Sequence, residues 1–167
     1  MKEALKVLAE LVAEGVIENY AIGGAMGATF YLEPVVTMDL DVFVLFKDNT
    51  SLLPLQPIYD ALKKRGYLPD ERMPECVDIG GIPVQFLPVY NQLLEDALSH
   101  AVSFDYDGVP ARVLSAEYLA AISVLTGRTK DQLRVQSFLS SERLDRKRFA
   151  EICAEHGLVC PDMGGAK

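Results

Sequence analysis

Apolar positions follow two different spacings along the chain. Leucines and valines recur at mostly helical spacing between charged residues at its start, which predicts an amphipathic helix. Short apolar runs bounded by glycine, proline and aspartate predict strands. The six predicted strands span residues 20–22, 40–46, 76–79, 82–89, 101–106 and 109–114. The seven predicted helices span residues 2–18, 25–32, 55–64, 91–100, 116–126, 129–139 and 145–156.

Turn and cap residues mark the ends of several of these elements. Ser115 is placed to cap the helix that follows it, and Gly127 lies just past the end of that helix. Gly80-Gly81 and Asp107-Gly108 each separate two predicted strands and predict tight hairpins. Asp48 to Ser51 has the composition of a loop.

Strands and helices mix up to residue 114, and only helices follow. We therefore predict an α+β fold, a mixed β-sheet flanked by helices with a helical C-terminal third. Residues 1–114 are the predicted α/β core, and residues 115–160 are a predicted helical part packed on it, so that both make a single compact unit. Residues 161–167 are predicted to form a loose tail.

Length and charge restrict the classes of function. The chain has 167 residues, which suits one domain, and 16 basic against 24 acidic residues give a net charge of −8. A broad nucleic-acid surface depends on basic residues that neutralise phosphates, so this charge argues against one. A small anionic ligand, held by a metal and a few side chains, remains compatible. No apolar run reaches the roughly 18 residues of a membrane span, and the helical pattern begins at Lys2, so we expect neither a span nor a signal peptide.

Cysteine and histidine are scarce. Cys76, Cys153 and Cys160 are odd in number and widely spaced, and His100 and His156 are the only histidines. This content argues against a disulfide framework, a zinc site and a nucleophile–histidine pair. We expect reduced thiols in a cytoplasmic protein, whose chemistry would depend on carboxylates, backbone amides and a metal.

One stretch combines two motifs that suit a metal and a phosphate. Gly23-Gly24 lies between a predicted strand and a predicted helix, where backbone amides meet the positive end of a helix. Asp39 and Asp41 begin the next strand, and their i, i+2 spacing places both carboxylates on one face. Magnesium would relieve the repulsion between them. Either motif alone also fits an ordinary turn or a solvated strand edge, and their order and spacing together favour the site.

Gly23-Gly24 followed by Thr37-x-Asp39-x-Asp41 resembles the signature of the nucleotidyltransferase-fold superfamily typified by DNA polymerase beta. The likeness is closest to small bacterial nucleotidyltransferase-like proteins of the abortive-infection toxin type, and it extends over roughly residues 18–157. It implies transfer of a nucleoside monophosphate from a nucleoside triphosphate, with ATP as one possible donor. It also implies that Asp39 and Asp41 hold magnesium or manganese. The same resemblance assigns nucleotide binding to Gly23, Gly24, Thr37, Arg128 and Lys130.

Three positions depart from the pattern of this superfamily. Its third carboxylate corresponds here to Gln85, whose amide oxygen can ligate a metal weakly but cannot accept a proton at neutral pH. A frequent lysine of the first C-terminal helix is Ser123, and a later aspartate is Arg134, although Arg128, Lys130 and Asp131 match.

Asp78 is a possible replacement for the missing acid, because a hairpin at Gly80-Gly81 pairs it with Pro83, near Gln85. An exposed carboxylate beside a turn is the simpler interpretation of Asp78.

Two functions therefore stay open. The first is a magnesium-dependent nucleotidyltransferase, with Gln85 as a degenerate third catalytic position that impairs it. The second is a non-catalytic nucleotide-binding or protein-interaction module, such as a component of a toxin–antitoxin pair with a protein partner. The acceptor is a small hydroxylated molecule such as an aminoglycoside, an RNA end or a protein side chain.

Overall fold

The computed structural model describes residues 1–34, 36–46 and 53–161. The predicted loop at residues 48–51 and most of the predicted tail lie outside this part. Over the described residues the chain forms a mixed six-stranded sheet with seven helices, which confirms the α+β prediction. In chain order the elements are α1 (Lys2–Ala13), β1 (Asn19–Ile22), α2 (Gly24–Ala28), β2 (Leu40–Leu45), α3 (Gln56–Lys64), β3 (Val77–Asp78), β4 (Pro83–Pro88), α4 (Gln92–Ser99), β5 (Val102–Tyr106), β6 (Val109–Val113), α5 (Ala116–Thr126), α6 (Thr129–Leu139) and α7 (Arg146–Glu155).

Strand β2 lies inside the sheet, whose order is β3-β4-β2-β1-β6-β5. It pairs in parallel with β4 and antiparallel with β1. A strand with neighbours on both sides and helices on both faces needs a nearly continuous apolar run, and Leu40 to Leu45 supplies one that only Asp41 interrupts. Asp41 is therefore the single charged residue of an otherwise apolar inner strand.

The two faces of the sheet carry separate hydrophobic clusters. Val42 and Val44 of β2 belong to the cluster that contains the leucines of α1. Phe43 belongs to the other cluster, which contains leucines and phenylalanines of the helices from α4 to α7. Because side chains alternate along a strand, Asp39 and Asp41 share the face of Phe43. Both carboxylates therefore lie on the side of the C-terminal helices.

The caps of α5 are those that the sequence predicts. The backbone amide of Tyr118 donates to Ser115 Oγ at 3.5 Å, and Gly127 follows the helix in the left-handed conformation, with φ of 65°. Helix α5 packs against α6 and α7, and its buried face reaches the sheet through the cluster that contains Phe43. This packing places the start of α6 beside the start of β2.

Helix α1 is shorter than predicted. It ends at Ala13, because Gly15 takes a left-handed conformation with φ of 71° and the chain turns back. The amide of Val16 then donates to the carbonyl of Leu11 at 2.9 Å. Ile17 is buried as its apolar character predicts, but it lies in the connection rather than in the helix.

Two other elements are also shorter than predicted. The predicted helix over residues 25–32 continues as turns after Ala28. The predicted strand over residues 76–79 keeps only two residues paired with β4. On the other side of this strand, the amide of Asp78 donates to the carbonyl of Leu68 in the preceding loop. Among the described residues, no helix is long and apolar enough to cross a membrane.

Candidate functional site

A cavity of about 960 Å³ opens between the start of β2 and helix α6. Its size lies at the upper end of the roughly 300–1,000 Å³ typical of small-molecule sites. One wall carries the carboxylates of Asp39 and Asp41 with Gly24 and Thr37. The opposite wall carries three basic side chains, which we name the α6 cations: Arg128, Lys130 and Arg134. The remaining lining is mainly apolar, apart from Glu33, and comes from α2, from residues 31–34 and 36–38 and from α6. The cavity thus brings the Asp39 and Asp41 carboxylates together with three basic side chains.

The two carboxylates are positioned by backbone pairing at the start of β2. Asp41 lies in register with Gln85 of β4, and its carbonyl oxygen accepts a hydrogen bond from the amide of Gly23 at 2.9 Å. Thr37 Oγ1 lies 3.2 Å from both the carbonyl oxygen and Oδ1 of Asp39, so its hydroxyl orients that residue. The structure therefore assigns Thr37 a contact with a carboxylate, and its predicted contact with a nucleotide remains a prediction.

The electrostatics of Asp41 reflect its position between like and opposite charges. Partial burial raises the pKa of the Asp41 carboxyl above its usual range, and the charge of Asp39 raises this pKa further. The α6 cations oppose the rise without cancelling it. A divalent cation between the two carboxylates would lower the cost of ionising both.

Glycine is required at position 24 by the carboxylate beside it. Gly24 has φ of 59°, and a Cβ atom on it would overlap the carboxyl group of Asp41. The Asp41 side chain thus packs directly against the backbone of Gly24. The nucleotide contact that the sequence predicts for Gly24 is compatible with its place on the cavity wall.

Gly23 has a structural role in this arrangement. Its amide, which the sequence assigns to a phosphate, is occupied by the carbonyl oxygen of Asp41. A Cβ atom at Gly23 would overlap the ring of Phe43, and Gly23 is absent from the cavity lining. We therefore correct the sequence interpretation. Gly23 follows β1, hydrogen-bonds to β2 through its amide and packs against Phe43, and it is Gly24 that lines the cavity.

The basic wall is organised around Asp131. Its carboxylate is only 1% exposed, and it accepts hydrogen bonds from Nε of Arg128 at 2.6 Å and from Nη1 of Arg134 at 2.8 Å. The same Nη1 lies 3.5 Å from Oγ of Ser123 on α5. The superfamily pattern marks Arg134 only as a departure and does not reveal its place in the cavity. The signal was present, because residues three apart on a helix are neighbours and Arg128, Asp131 and Arg134 follow that spacing.

Gln85 and Asp78 occupy different parts of the sheet. Gln85 lies beside Asp41 on the neighbouring strand, as the alignment of its strand requires. Asp78 pairs with Pro83, as predicted, and its Oδ1 accepts a hydrogen bond from the amide of Gly81 at 2.9 Å. It therefore closes the hairpin on the edge strand β3, which β4 separates from β2. This geometry gives Asp78 a turn-forming role and not that of a third acid.

The carboxylates of Asp39 and Asp41 are suitable ligands for magnesium. Two adjacent carboxylates on one cavity wall are what magnesium takes from many proteins, with waters and phosphate oxygens completing its six ligands. Within residues 1–34, 36–46 and 53–161, no group of three or more His, Cys, Asp or Glu side chains could hold a metal. A metal at Asp39 and Asp41 would therefore depend on a phosphate ligand more than a three-carboxylate site does.

Replacing Asp41 by asparagine is expected to stabilise the metal-free protein at neutral pH. Because the pKa of Asp41 is raised in the folded state, the folded protein binds more protons than the unfolded one just above the usual carboxyl range. Stability therefore falls as pH rises through that window. We expect Asp41→Asn to raise the free energy of unfolding at pH 7 by about 0.5–2 kcal/mol, as for other single stabilising changes, and the gain to shrink towards pH 4.

Urea unfolding of both proteins between pH 4 and pH 8, with a chelator present, measures this difference. Asp60→Asn is the control, since Asp60 is exposed on α3. An Asp41→Asn protein that is no more stable than the wild type at pH 7 would contradict the electrostatic account.

Known proteins resemble this chain in structure but not detectably in sequence. No family model matches the sequence, and no curated protein matches it. Solved structures do match. An antigenic nucleotidyltransferase-like protein from Paracoccidioides brasiliensis has a TM-score of 0.57 at 12% identity, with 93% of this chain and 86% of that chain covered.

The antibiotic-resistance factor ANT(2'')-Ia is similar in two structures. Its crystal structure in complex with adenylyl-2''-tobramycin has a TM-score of 0.55 at 12% identity, with 91% of this chain and 94% of that chain covered. Its solution structure has a TM-score of 0.53 at 14% identity, with 94% and 93% covered. Identities this low establish the fold alone. The chain therefore has the nucleotidyltransferase-like fold that its motifs predict.

Proposed function

We propose that this protein binds a nucleoside triphosphate with magnesium and transfers its nucleoside monophosphate to an acceptor, at a rate limited by Gln85. One observation carries the proposal: a single cavity holds Asp39 and Asp41 on one wall and the α6 cations on the other. A metal–triphosphate complex presents this charge pattern in reverse, with a cation for the acids and phosphate oxygens for the bases. The fold supports the same class of chemistry.

In the proposed transfer, different residues of the cavity have different roles. The acceptor oxygen attacks the α-phosphorus, the bond from that phosphorus to the bridging oxygen breaks, and pyrophosphate leaves. Magnesium, when bound, offsets the charge that develops on the phosphate oxygens. Asp39 and Asp41 hold the metal, and the α6 cations hold the β- and γ-phosphates. The proton of the acceptor hydroxyl needs a base, and the amide of Gln85 cannot accept it.

Gln85 also favours the second candidate function, a non-catalytic nucleotide-binding module. The position next to Asp41 in the sheet holds an amide, so a protein of this fold that only binds a nucleotide, or that binds a protein partner as in a toxin–antitoxin pair, accounts for the same residues. The narrower likeness to abortive-infection proteins depends on the sequence motifs. A cytoplasmic location remains part of the proposal.

The acceptor in this proposal is an unidentified molecule with a free hydroxyl. The crystal structure of ANT(2'')-Ia contains an adenylylated aminoglycoside, so a small hydroxylated molecule is the first class to test. RNA ends and protein side chains are the other two classes. The cavity volume of about 960 Å³ accommodates a nucleotide together with part of an acceptor.

A nucleoside triphosphate with magnesium is expected to raise the melting temperature of the protein. A ligand that binds only the folded state stabilises it by mass action, by about 2.7 kcal/mol at a concentration one hundred times its Kd. Differential scanning fluorimetry with each of the four common ribonucleoside triphosphates and magnesium tests this expectation and identifies the preferred base.

The matched controls are magnesium alone and the corresponding nucleoside without phosphates, neither of which presents a metal–phosphate complex. Folded protein that shows no shift with any triphosphate at millimolar concentration would contradict the proposed transfer and the nucleotide-binding form of the second candidate, since both require nucleotide binding. Only the protein-interaction form would then remain.

A further inference from the structure

The buried carboxylate of Asp131 requires charged partners. Removing a carboxylate from water carries a large free-energy cost unless opposite charges and hydrogen bonds compensate it. Two guanidinium groups do so here, at 2.6 Å and 2.8 Å, and both hydrogen bonds are charge-assisted. A single arginine would suffice for charge balance at this position. The second one leaves the Arg128–Asp131–Arg134 cluster with a net positive charge.

Both arginines keep guanidinium nitrogens that Asp131 and Ser123 do not use. Arg128 donates from Nε and Nη2 to Asp131, and Arg134 donates from Nη1 to Asp131 and Ser123. Over the described residues, Nη1 of Arg128 and Nη2 of Arg134 have no hydrogen-bond partner. The side chain of Arg128 is 59% exposed and that of Arg134 is 14% exposed, and both line the cavity. The unused donors thus belong to side chains that line the same cavity as Asp39 and Asp41.

We propose that Asp131 positions Arg128 and Arg134 as a two-guanidinium clamp for the polyphosphate of the nucleotide. The inference rests on the proposed function and deepens it, because it assigns Asp131 the role of fixing two of the phosphate-binding side chains in place. A guanidinium fork matches phosphate oxygens in two directions at once, and its hydrogen bonds are strong. Fixing both forks before the ligand arrives reduces the conformational entropy lost on binding. Asp131 acts through the arginines as a positioning residue.

A purely structural role for Asp131 leads to a different expectation. If the cluster only stabilised the first turn of α6, its removal would lower stability without weakening phosphate binding. Electrostatics alone would even favour tighter binding, because Asp131→Asn removes a negative charge close to the cavity. The clamp requires the opposite sign: loss of Asp131 frees both guanidinium groups to rotate and weakens binding. The direction of the change in affinity therefore separates the two roles.

Inorganic tripolyphosphate with magnesium is the probe, and isothermal titration calorimetry at fixed ionic strength is the measurement. Loss of a hydrogen bond to a charged group typically costs enough to weaken binding about 10- to 100-fold, and we expect a loss of this size in Arg134→Gln. Arg134→Lys keeps the charge but not the fork, so its affinity should lie between the two. Asp131→Asn should bind more weakly than the wild type.

Arg65→Gln is the matched control, because Arg65 is also an ion-paired arginine, with Glu10 and Glu14, and is 21% exposed but does not line the cavity. Its affinity for tripolyphosphate should equal that of the wild type. If a single variant fails to fold, the double variant Asp131→Asn/Arg134→Gln removes the buried charge together with its partner. We expect it to fold and to bind more weakly than the wild type.

Manganese binding to Asp39 and Asp41, followed by electron paramagnetic resonance, gives an independent readout. The clamp variants should still bind manganese, because they keep both carboxylates. A wild-type protein that binds neither tripolyphosphate nor a nucleotide overturns the proposed function and the clamp with it. A wild type that binds tripolyphosphate, with Arg134→Gln or Asp131→Asn binding as tightly or more tightly, overturns the clamp alone.

Discussion

Replacing Asp39 and Asp41 together by asparagine is expected to abolish manganese binding to the cavity. Asp39 lies just before β2 and Asp41 within it, both line the cavity, and within the described residues no larger cluster of metal-ligating side chains offers another site. Even groups that only orient a metal ligand contribute about 10- to 100-fold to affinity, so loss of both charged ligands should reduce affinity by about 100-fold or more. Calorimetric titration with manganese measures this loss directly.

A second Asp-x-Asp pair in the same chain provides the control. Asp105 and Asp107 have the same spacing but lie at the β5–β6 turn, where Asp105 Oδ2 accepts from the amide of Gly108 and Asp107 pairs with Lys2. The Asp105→Asn/Asp107→Asn protein should bind manganese like the wild type. Equal manganese binding by the wild type and the Asp39→Asn/Asp41→Asn protein would show that the metal site is elsewhere or absent.

The order of strands and helices could be read from apolar spacing because each element of this fold has one dominant pattern. β2 is a nearly unbroken apolar run, as expected for a strand covered on both faces. The register of the β3–β4 hairpin follows from Gly80-Gly81 alone, and the structure pairs Asp78 with Pro83 accordingly. The limits of α1 were less predictable, since Ile17 keeps its apolar burial after the helix has ended. Burial and helical conformation are separate properties there.

One half of the cavity could be predicted and the other half only in part. Asp39 and Asp41 lie two residues apart, and the period of a strand brings them together without knowledge of the rest of the fold. The basic wall depends on how α5 packs against α6. Ser123 and Arg134 looked like two unrelated departures from the superfamily pattern, yet Arg134 Nη1 lies 3.5 Å from Ser123 Oγ. A small residue on α5 leaves room for the arginine of α6, so the two departures are one structural feature.

The role of Gly23 shows a different limit. A glycine pair between a strand and a helix is typical of phosphate-binding turns, but the motif does not specify which amide remains free. Here the pairing of β1 with β2 continues one residue further, to the hydrogen bond between the Gly23 amide and the Asp41 carbonyl. Only the register of the sheet reveals that this donor is occupied.

Gln85→Asp is expected to raise the rate of nucleotide transfer, by about 10²- to 10⁴-fold if the new carboxylate accepts the proton of the acceptor hydroxyl. Gln85 lies in register with Asp41 on the parallel neighbour β4, so an aspartate there completes a group of three carboxylates. The same substitution should lower the stability of the metal-free protein, because Asp41 already has a raised pKa beside Asp39 and a third charge adds to the repulsion. Magnesium should relieve that penalty.

The assay measures transfer of labelled nucleotide to a panel of small hydroxylated molecules, RNA ends and proteins, with wild type, Gln85→Asp and Gln85→Asn. The asparagine variant is the matched control, since it has the shape of aspartate without its charge, and it should transfer no faster than the wild type. If all three proteins bind the nucleotide and none transfers it, the result supports the non-catalytic module. A new base accelerates the reaction only in a protein that also binds the acceptor. Rapid transfer by the wild type that Gln85→Ala leaves unchanged would show that the base is another residue, and that the position beside Asp41 is not the catalytic one.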